Sequence, residues 1–165
     1  MSVSTLPRRD EIAPEHTWDI ASIFPSDAAW EAEITQFSAQ LPELLRFRGQ
    51  LGAGPAMLAD WFQTLDQTLR RLGKIYVYAR MSHTVDTTNA AASAKNDRVI
   101  SLAAQVTATS AFAEPELLAI GGDVLRRWLR EEPRLAGYDH YIDQLEQRQA
   151  HVRSAEVEEL LGMVS

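Results

Sequence analysis

Leu58, Phe62, Leu65, Leu69, Leu72, Tyr76, Ala79 and His83 follow one another in an unbroken alternation of four- and three-residue steps. A β-strand cannot use that spacing, because its side chains alternate with a period of two. An α-helix places all eight on one stripe, and a heptad-like stripe packs against neighbouring helices at shallow angles. Pro55 opens the run at a first helical position, where its missing N–H would have had no partner anyway. The spacing predicts one long helix near 55–83, about 43 Å at ~1.5 Å per residue. Gly73 weakens that helix by roughly 1 kcal/mol relative to alanine, too little to break it.

The flanking segments read as helices too. Trp30, Ile34, Phe37, Leu41 and Leu44 form one stripe of a helix starting near Asp27, with Ser26 or Asp27 as cap. Pro42 lies inside the run and should kink or restart it. Gly49, Gly52 and Gly54 mark a loop. Asp86, Thr87, Thr88 and Asn89 are all able to cap a third helix reaching to about Ala113, with Val99, Leu102, Val106 and Ala113 on its stripe. Its only charges are Lys95, Asp97 and Arg98, and Ala91, Ala92, Ala103, Ala104 and Ala108 leave room for close approach. A helix so poor in charge is expected to be packed on several sides.

Shorter helices follow. Glu114-Pro115-Glu116 begins one that Gly121-Gly122 ends, Asp123 can cap the next toward Leu125, Trp128 and Leu129, and Pro133 and Gly137 break the chain again. Tyr138, Tyr141, Ile142 and Leu145 form a further stripe, and Ser154 opens a last helix with Val157, Leu160, Leu161 and Val164 on its apolar side. That stripe runs to Ser165 with no stop signal, so truncation of a longer chain is expected. Residues 1–26 read as an irregular lead-in interrupted by Pro7, Pro14 and Pro25, with Trp18, Ile20, Ile23 and Phe24 pinning it across other elements. No segment alternates as a strand does. The expected fold class is all-α, built of antiparallel helical hairpins or a bundle.

Composition removes several function classes. The 165 residues, 45% of them hydrophobic and 24% charged, suit a globular domain with a real core. The absence of cysteine excludes a disulfide framework, a thiol nucleophile and any thiolate metal site, and fits a cytoplasmic protein. The N-terminus has no signal-peptide core, and no apolar run approaches the ~20 residues of a membrane span. A net charge of -7 argues against nucleic acid, and Arg70-Arg71 and Arg126-Arg127 read as solvated helix faces.

The four histidines, His16, His83, His140 and His151, include no pair four residues apart, the spacing that puts two imidazoles on one helical face of a zincin site. Three have an aspartate three residues on, Asp19, Asp86 and Asp143, which suits capping better than metal or triad chemistry. His83 continues the long stripe; it either caps the core at a helix C-terminus or touches substrate at the mouth of a cleft. The aromatics Trp61, Tyr76, Tyr78, Trp128, Tyr138 and Tyr141 could wall a ligand but at helical spacing read more simply as core. Glu156, Glu158 and Glu159 read as an exposed face.

Four segments in order resemble the opening region of oligoendopeptidase F, a branch of the thimet-oligopeptidase-like zinc peptidases. HTWDIASIFPSDAAWEAE, residues 16–33, is similar to the family's Trp-Asp-Leu…Phe-x-Ser-x-x-x-Trp phrase; RLGKIYVYARMSHTVDTT, residues 71–88, to the end of its long helix and the Asp-Thr turn; FAEPELLAI, residues 112–120, and HYIDQLEQRQAHVRSAEVEELL, residues 140–161, complete the set. The resemblance implies that residues 27–165 are a helical N-terminal domain, truncated before a catalytic domain bearing His-Glu-x-x-His and a downstream glutamate ligand. It implies zinc in the parent enzyme and none in this fragment, oligopeptide substrate, and the catalytic domain of the same protein as partner. No catalytic or metal residue carries over. The helical region would be a wall or lid over a deep cleft, with Tyr78, Arg80 and His83 as candidate peptide contacts at the end of the long helix. The alternative is a self-contained helical interaction module without peptidase activity.

The unpaired histidines and absent cysteines give the first expected outcome: the isolated chain holds no stoichiometric zinc at neutral pH and cleaves no peptide. Metal analysis returning one tightly held zinc per chain, with activity lost on chelation, would refute it.

Overall fold

Ser26 begins the first helix as a cap should: its backbone is extended and its Oγ accepts the Ala29 N–H at 3.2 Å. The computed structural model describes residues 11–148, and every regular element among them is helical. We label the α-helices α1 (Asp27–Gln40), α2 (Pro55–Val85), α3 (Ala90–Ser110), α4 (Ala113–Ile120), α5 (Gly122–Glu131) and α6 (residues 139–148). The all-α fold class expected from the spacing is the one observed. His151, the Glu156–Glu159 cluster and the stripe Val157, Leu160, Leu161 and Val164 lie outside the described residues.

Pro42 restarts the chain instead of kinking it. α1 stops at Gln40, and Leu41–Phe47 continues as a 3-10 helix. Three residues per turn eclipse positions three apart, so Leu41, Leu44 and Phe47 are all buried while Leu45 is 45% exposed. The second cap is Asn89, whose Oδ1 accepts the Ala92 N–H at 3.0 Å and starts α3. Asp86 holds the preceding turn, its Oδ1 accepting from both the Thr88 N–H and hydroxyl. Gly121, at φ 86, ends α4, and α5 starts from it without a side-chain cap, so Asp123 stands in the first turn and does not cap.

Two compact units are built from these elements. Of the described residues, one comprises 11–42 together with Gln67–Thr107; the other comprises Glu43–Asp66 and 108–148. α2 therefore gives its start to the second unit and its end to the first. Each half buries a different set. The start buries Leu58, Ala59, Trp61 and Phe62; the end buries Ile75, Tyr78 and Ala79. The continuous seam expected from the spacing is thus interrupted. Leu69 is 46% exposed, Leu72 and Tyr76 are half-buried, and Tyr78, which the spacing sets off the stripe, is 5% exposed. α3 also departs from expectation. Ala92, Val99, Leu102 and Val106 are buried, but Ala91, Ala104 and Ala108 are exposed, so one face packs and alanine serves elsewhere as a strong helix former.

In the first unit α1, the end of α2 and the start of α3 meet on Trp30, which is fully buried. Its indole N–H donates to the Ile75 carbonyl at 3.0 Å, and Tyr78 stacks on its ring at 6.1 Å. Arg98 lies 5.2 Å from the ring centroid and donates twice to Glu31, at 2.6 and 2.8 Å. Phe24 of the lead-in meets Tyr78 edge-on at 5.5 Å, whereas Trp18 is 72% exposed and does not pin that segment to the described residues. The second unit centres on Trp61, flanked by Phe47 at 5.5 Å and Phe112 at 5.0 Å. Tyr138 stacks on Phe62 at 4.2 Å and donates to Asp66 at 2.6 Å.

Asp27, in the first turn of α1, accepts from the Tyr78 hydroxyl at 2.9 Å and from Lys95. The Lys95 ammonium first, then the Tyr78 hydroxyl, hold its carboxyl below the ordinary 3.8. Burial first, then the Asp27 carboxylate, push Tyr78 up to about 12. A lowered carboxyl stabilises the fold above pH 3.8 and loses that effect as pH falls through its folded value. A raised phenol keeps its proton in the folded state alone, so stability declines between pH 10.0 and about 12. Asp27→Asn should cost about 1 kcal/mol or less in urea denaturation at pH 7, since the carboxylate is largely exposed and screened. The gap to wild type should close below pH 3.8. Tyr78→Phe should flatten the alkaline decline. Equal pH slopes for variant and wild type would contradict the assignment.

Candidate functional site

Residues 80–91 include no buried one, although the flanking Ala79 and Ala92 are both buried. This stretch, the end of α2 and the turn into α3, carries two of the three candidate contact residues on its surface. Arg80 is exposed, and its Nη1 donates at 3.5 Å to Oδ1 of Asn96, a polar residue only 6% exposed. His83 is half-buried, with Nδ1 3.3 Å from Ser93 Oγ. Three residues apart on each helix, Arg80 and His83 face Asn96 and Ser93 as two polar rungs of an antiparallel hairpin. Tyr78 lies below them in the core, its hydroxyl committed to Asp27. Arg80 and His83 thus present a cation and an imidazole at one helix end, while Tyr78 supports the fold beneath.

The second unit has a surface groove of about 500 Å³, lined by Gly49, Gly52, Glu116, Ala119, Ile120, Val124 and Trp128. Its carboxylate is already engaged. Glu116 Oε1 accepts the Gly49 N–H at 2.6 Å and Oε2 accepts the Leu51 N–H at 3.3 Å. Glu116 therefore ties α4 to the loop before α2, and Gly49, at φ 73, takes a backbone conformation that side chains disfavour. The remaining lining is apolar and offers no acid–base pair.

Of the aromatics weighed as a ligand wall, Trp61 is fully buried, Tyr78 and Trp128 are 5% and 8% exposed, Tyr138 and Tyr141 pack on Phe62, and Tyr76 is half-buried. His140 meets Gln144 at 2.9 Å, Asp143 accepts from Arg126 at 3.2 Å, and Asp86 serves its own turn. Among the described residues no three His, Asp or Glu side chains converge as a zinc site requires, so the donor set here does not fit that metal. No helix among them is long and apolar enough to cross a membrane.

Sequence reasoning missed Asn96 and Glu116. Asn96 could have been found: it sits among Ala92, Val99, Leu102 and Val106 at helical spacing, the one polar residue on a buried stripe. Glu116 could not, because its partners lie 67 and 65 residues away.

A family model described as Oligopeptidase F matches residues 116–165. The chain is 34% identical over 160 residues to the Oligopeptidase PepF of Bacillus subtilis, an alignment covering 97% of this chain and 24% of that protein. It is 32% identical over 155 residues to the Oligoendopeptidase F homolog of Lactococcus lactis subsp. lactis, covering 93% and 26%. The solved structure of oligoendopeptidase-F from Enterococcus faecium is similar at a TM-score of 0.68 and 32% identity, over 82% of this chain and 27% of that one. The chain spans about a quarter of the length of the curated relatives it matches. Four ordered sequence segments, the helical fold and these likenesses agree: the chain belongs to the oligoendopeptidase F family, as an N-terminal part of such peptidases.

Proposed function

We propose that these residues are the helical N-terminal domain of an oligopeptide-cleaving zinc metalloendopeptidase of the cytoplasm, a wall or lid of its substrate cleft that is not catalytic alone. The observation that carries this reading is the 34% identity to Oligopeptidase PepF along 97% of the chain. The zinc and its ligands belong, on this reading, to the rest of the parent polypeptide, which is also the domain's partner.

Arg80 and His83 are the proposed peptide contacts. An exposed guanidinium beside a buried amide presents donors to a carbonyl or carboxylate, and the half-buried imidazole near it adds a flat surface and one more ring nitrogen. Tyr78 enters only as the residue that fixes the helix beneath them. The absence of buried residues from 80 to 91 suits a surface that must take varied side chains.

The test is the full reading frame that contains these residues. Expressed whole, it should cleave short peptides, lose activity to a chelator and regain it with zinc. A frame without His-Glu-x-x-His, or one inert toward peptides, would leave the self-contained interaction module as the answer. Within an active parent, Arg80→Ala and His83→Ala should each lower kcat/KM several-fold while zinc content and Tm stay nearly unchanged. Activity that falls only in step with lost stability would assign both residues to packing.

A further inference from the structure

Gly73 stands in the interior of α2, where glycine weakens a helix, and the chain's own packing does not require it. A Cβ placed there meets nothing within 4 Å. Around it, Leu69 is 46% and Val77 42% exposed, and Leu72 and Tyr76 are half-buried. Leu69, Leu72 and Tyr76 follow the four-three spacing read from the sequence, Gly73 and Val77 lie one residue beyond Leu72 and Tyr76 on the adjoining edge, and here the stripe is unfilled. All five belong to the unit containing Gln67–Thr107.

From this we infer that Leu69, Leu72, Gly73, Tyr76 and Val77 form the seat of one apolar helix, supplied by the part of the parent polypeptide outside these 165 residues. The inference rests on the parent enzyme proposed above. Three observations select the occupant. Heptad-like spacing is complementary to another helix lying at a shallow angle, not to an extended strand or a loop. A glycine amid larger apolar residues lets a second backbone come close, which explains why a destabilising residue stands there. Relatives of which this chain spans 24–26% have most of their polypeptide available to supply such a helix. A second copy of the chain fits poorly. Arg70 and Lys74 are exposed along the same helix segment with no carboxylate paired to them among the described residues, and two copies would set these like charges against each other. An apolar helix with acidic flanks would satisfy them.

The test compares the isolated chain with the full-length parent. Gly73→Leu fills open space in the isolated chain with a better helix former, so its Tm should hold or rise. In the parent the same substitution blocks the incoming helix, and Tm should fall by several degrees. Leu69→Glu should leave the isolated chain nearly unchanged, because the side chain is already half exposed, and should destabilise the parent. This reversal between the two contexts supports the seat. Substitutions that shift both proteins in the same direction and by similar amounts overturn it. So does sedimentation showing a dimer of the isolated chain that the parent also forms and that Leu69→Glu abolishes, which would make the occupant a second copy. Peptide cleavage by the wild-type parent reports on the enzyme reading separately: an inactive parent can show the reversal, and an active one can lack it.

Discussion

The first unit depends on Trp30. A tryptophan wholly removed from water contributes most of what a large-to-small change in a core would lose, typically ~3–5 kcal/mol. Burial alone would not orient it. The indole N–H donating to the Ile75 carbonyl fixes α1 against α2, and Tyr78 closes one face of the ring. Lys95 and Arg98 of α3 approach the same ring at 5.9 and 5.2 Å, and each also binds a carboxylate of α1, Asp27 and Glu31. The cations are thus held by two attractions at once, ring and carboxylate. A helix and a distant helical hairpin are brought together on one side chain.

That arrangement explains what was legible in the sequence and what was not. The existence of α1, α2 and α3 followed from spacing and caps, because Ser26, Pro55 and Asn89 act within a few residues of themselves. Which face of α2 is buried did not follow. The four-three stripe is real, but spacing along one helix records every partner the helix has, whether or not that partner lies in the same unit. Tyr78 is buried because Trp30, Phe24 and Asp27 sit over it, and all three are more than 45 residues away, as the Trp30–Ile75 and Tyr78–Asp27 separations of 45 and 51 make plain. α3 misled for a different reason. A low charge count suggests burial on several sides, but alanine serves equally as a helix former on an exposed face.

The candidate site was partly legible on the same principle. Arg80 and His83 are placed by a local hairpin, so three-residue spacing on α2 and on α3 suffices to put them on one side of it. The Glu116 clamp on Gly49 and Leu51 has no local signature at all. A carboxylate that accepts two backbone N–H groups of a glycine loop resembles an acid poised for chemistry when only the residue type is known. Its hydrogen bonds identify it as a structural tie, and the groove beside it is left without a reactive group.

Burial and polarity along α2 also separate the two surfaces argued for it. From Leu69 to Val77 an exposed leucine and valine and a half-buried leucine and tyrosine surround a glycine, with Arg70 and Lys74 exposed beside them, and the apolar part of that surface gains by permanent removal from water. From Arg80 to Val85 the side chains are a guanidinium, a methionine, a hydroxyl, an imidazole, a second hydroxyl and a single exposed valine, and the polar tips are tied to neighbours or to the helix backbone. Such groups lose hydration if a rigid partner covers them, but they can exchange bonds with a transient one. A helix end with exposed hydrogen bonds and no buried side chain is also where local opening requires least free energy. The proposed permanent contact therefore suits the middle of the helix, and the proposed exchangeable one its end. Reversing them would bury the polar rungs and leave the apolar stripe open to solvent.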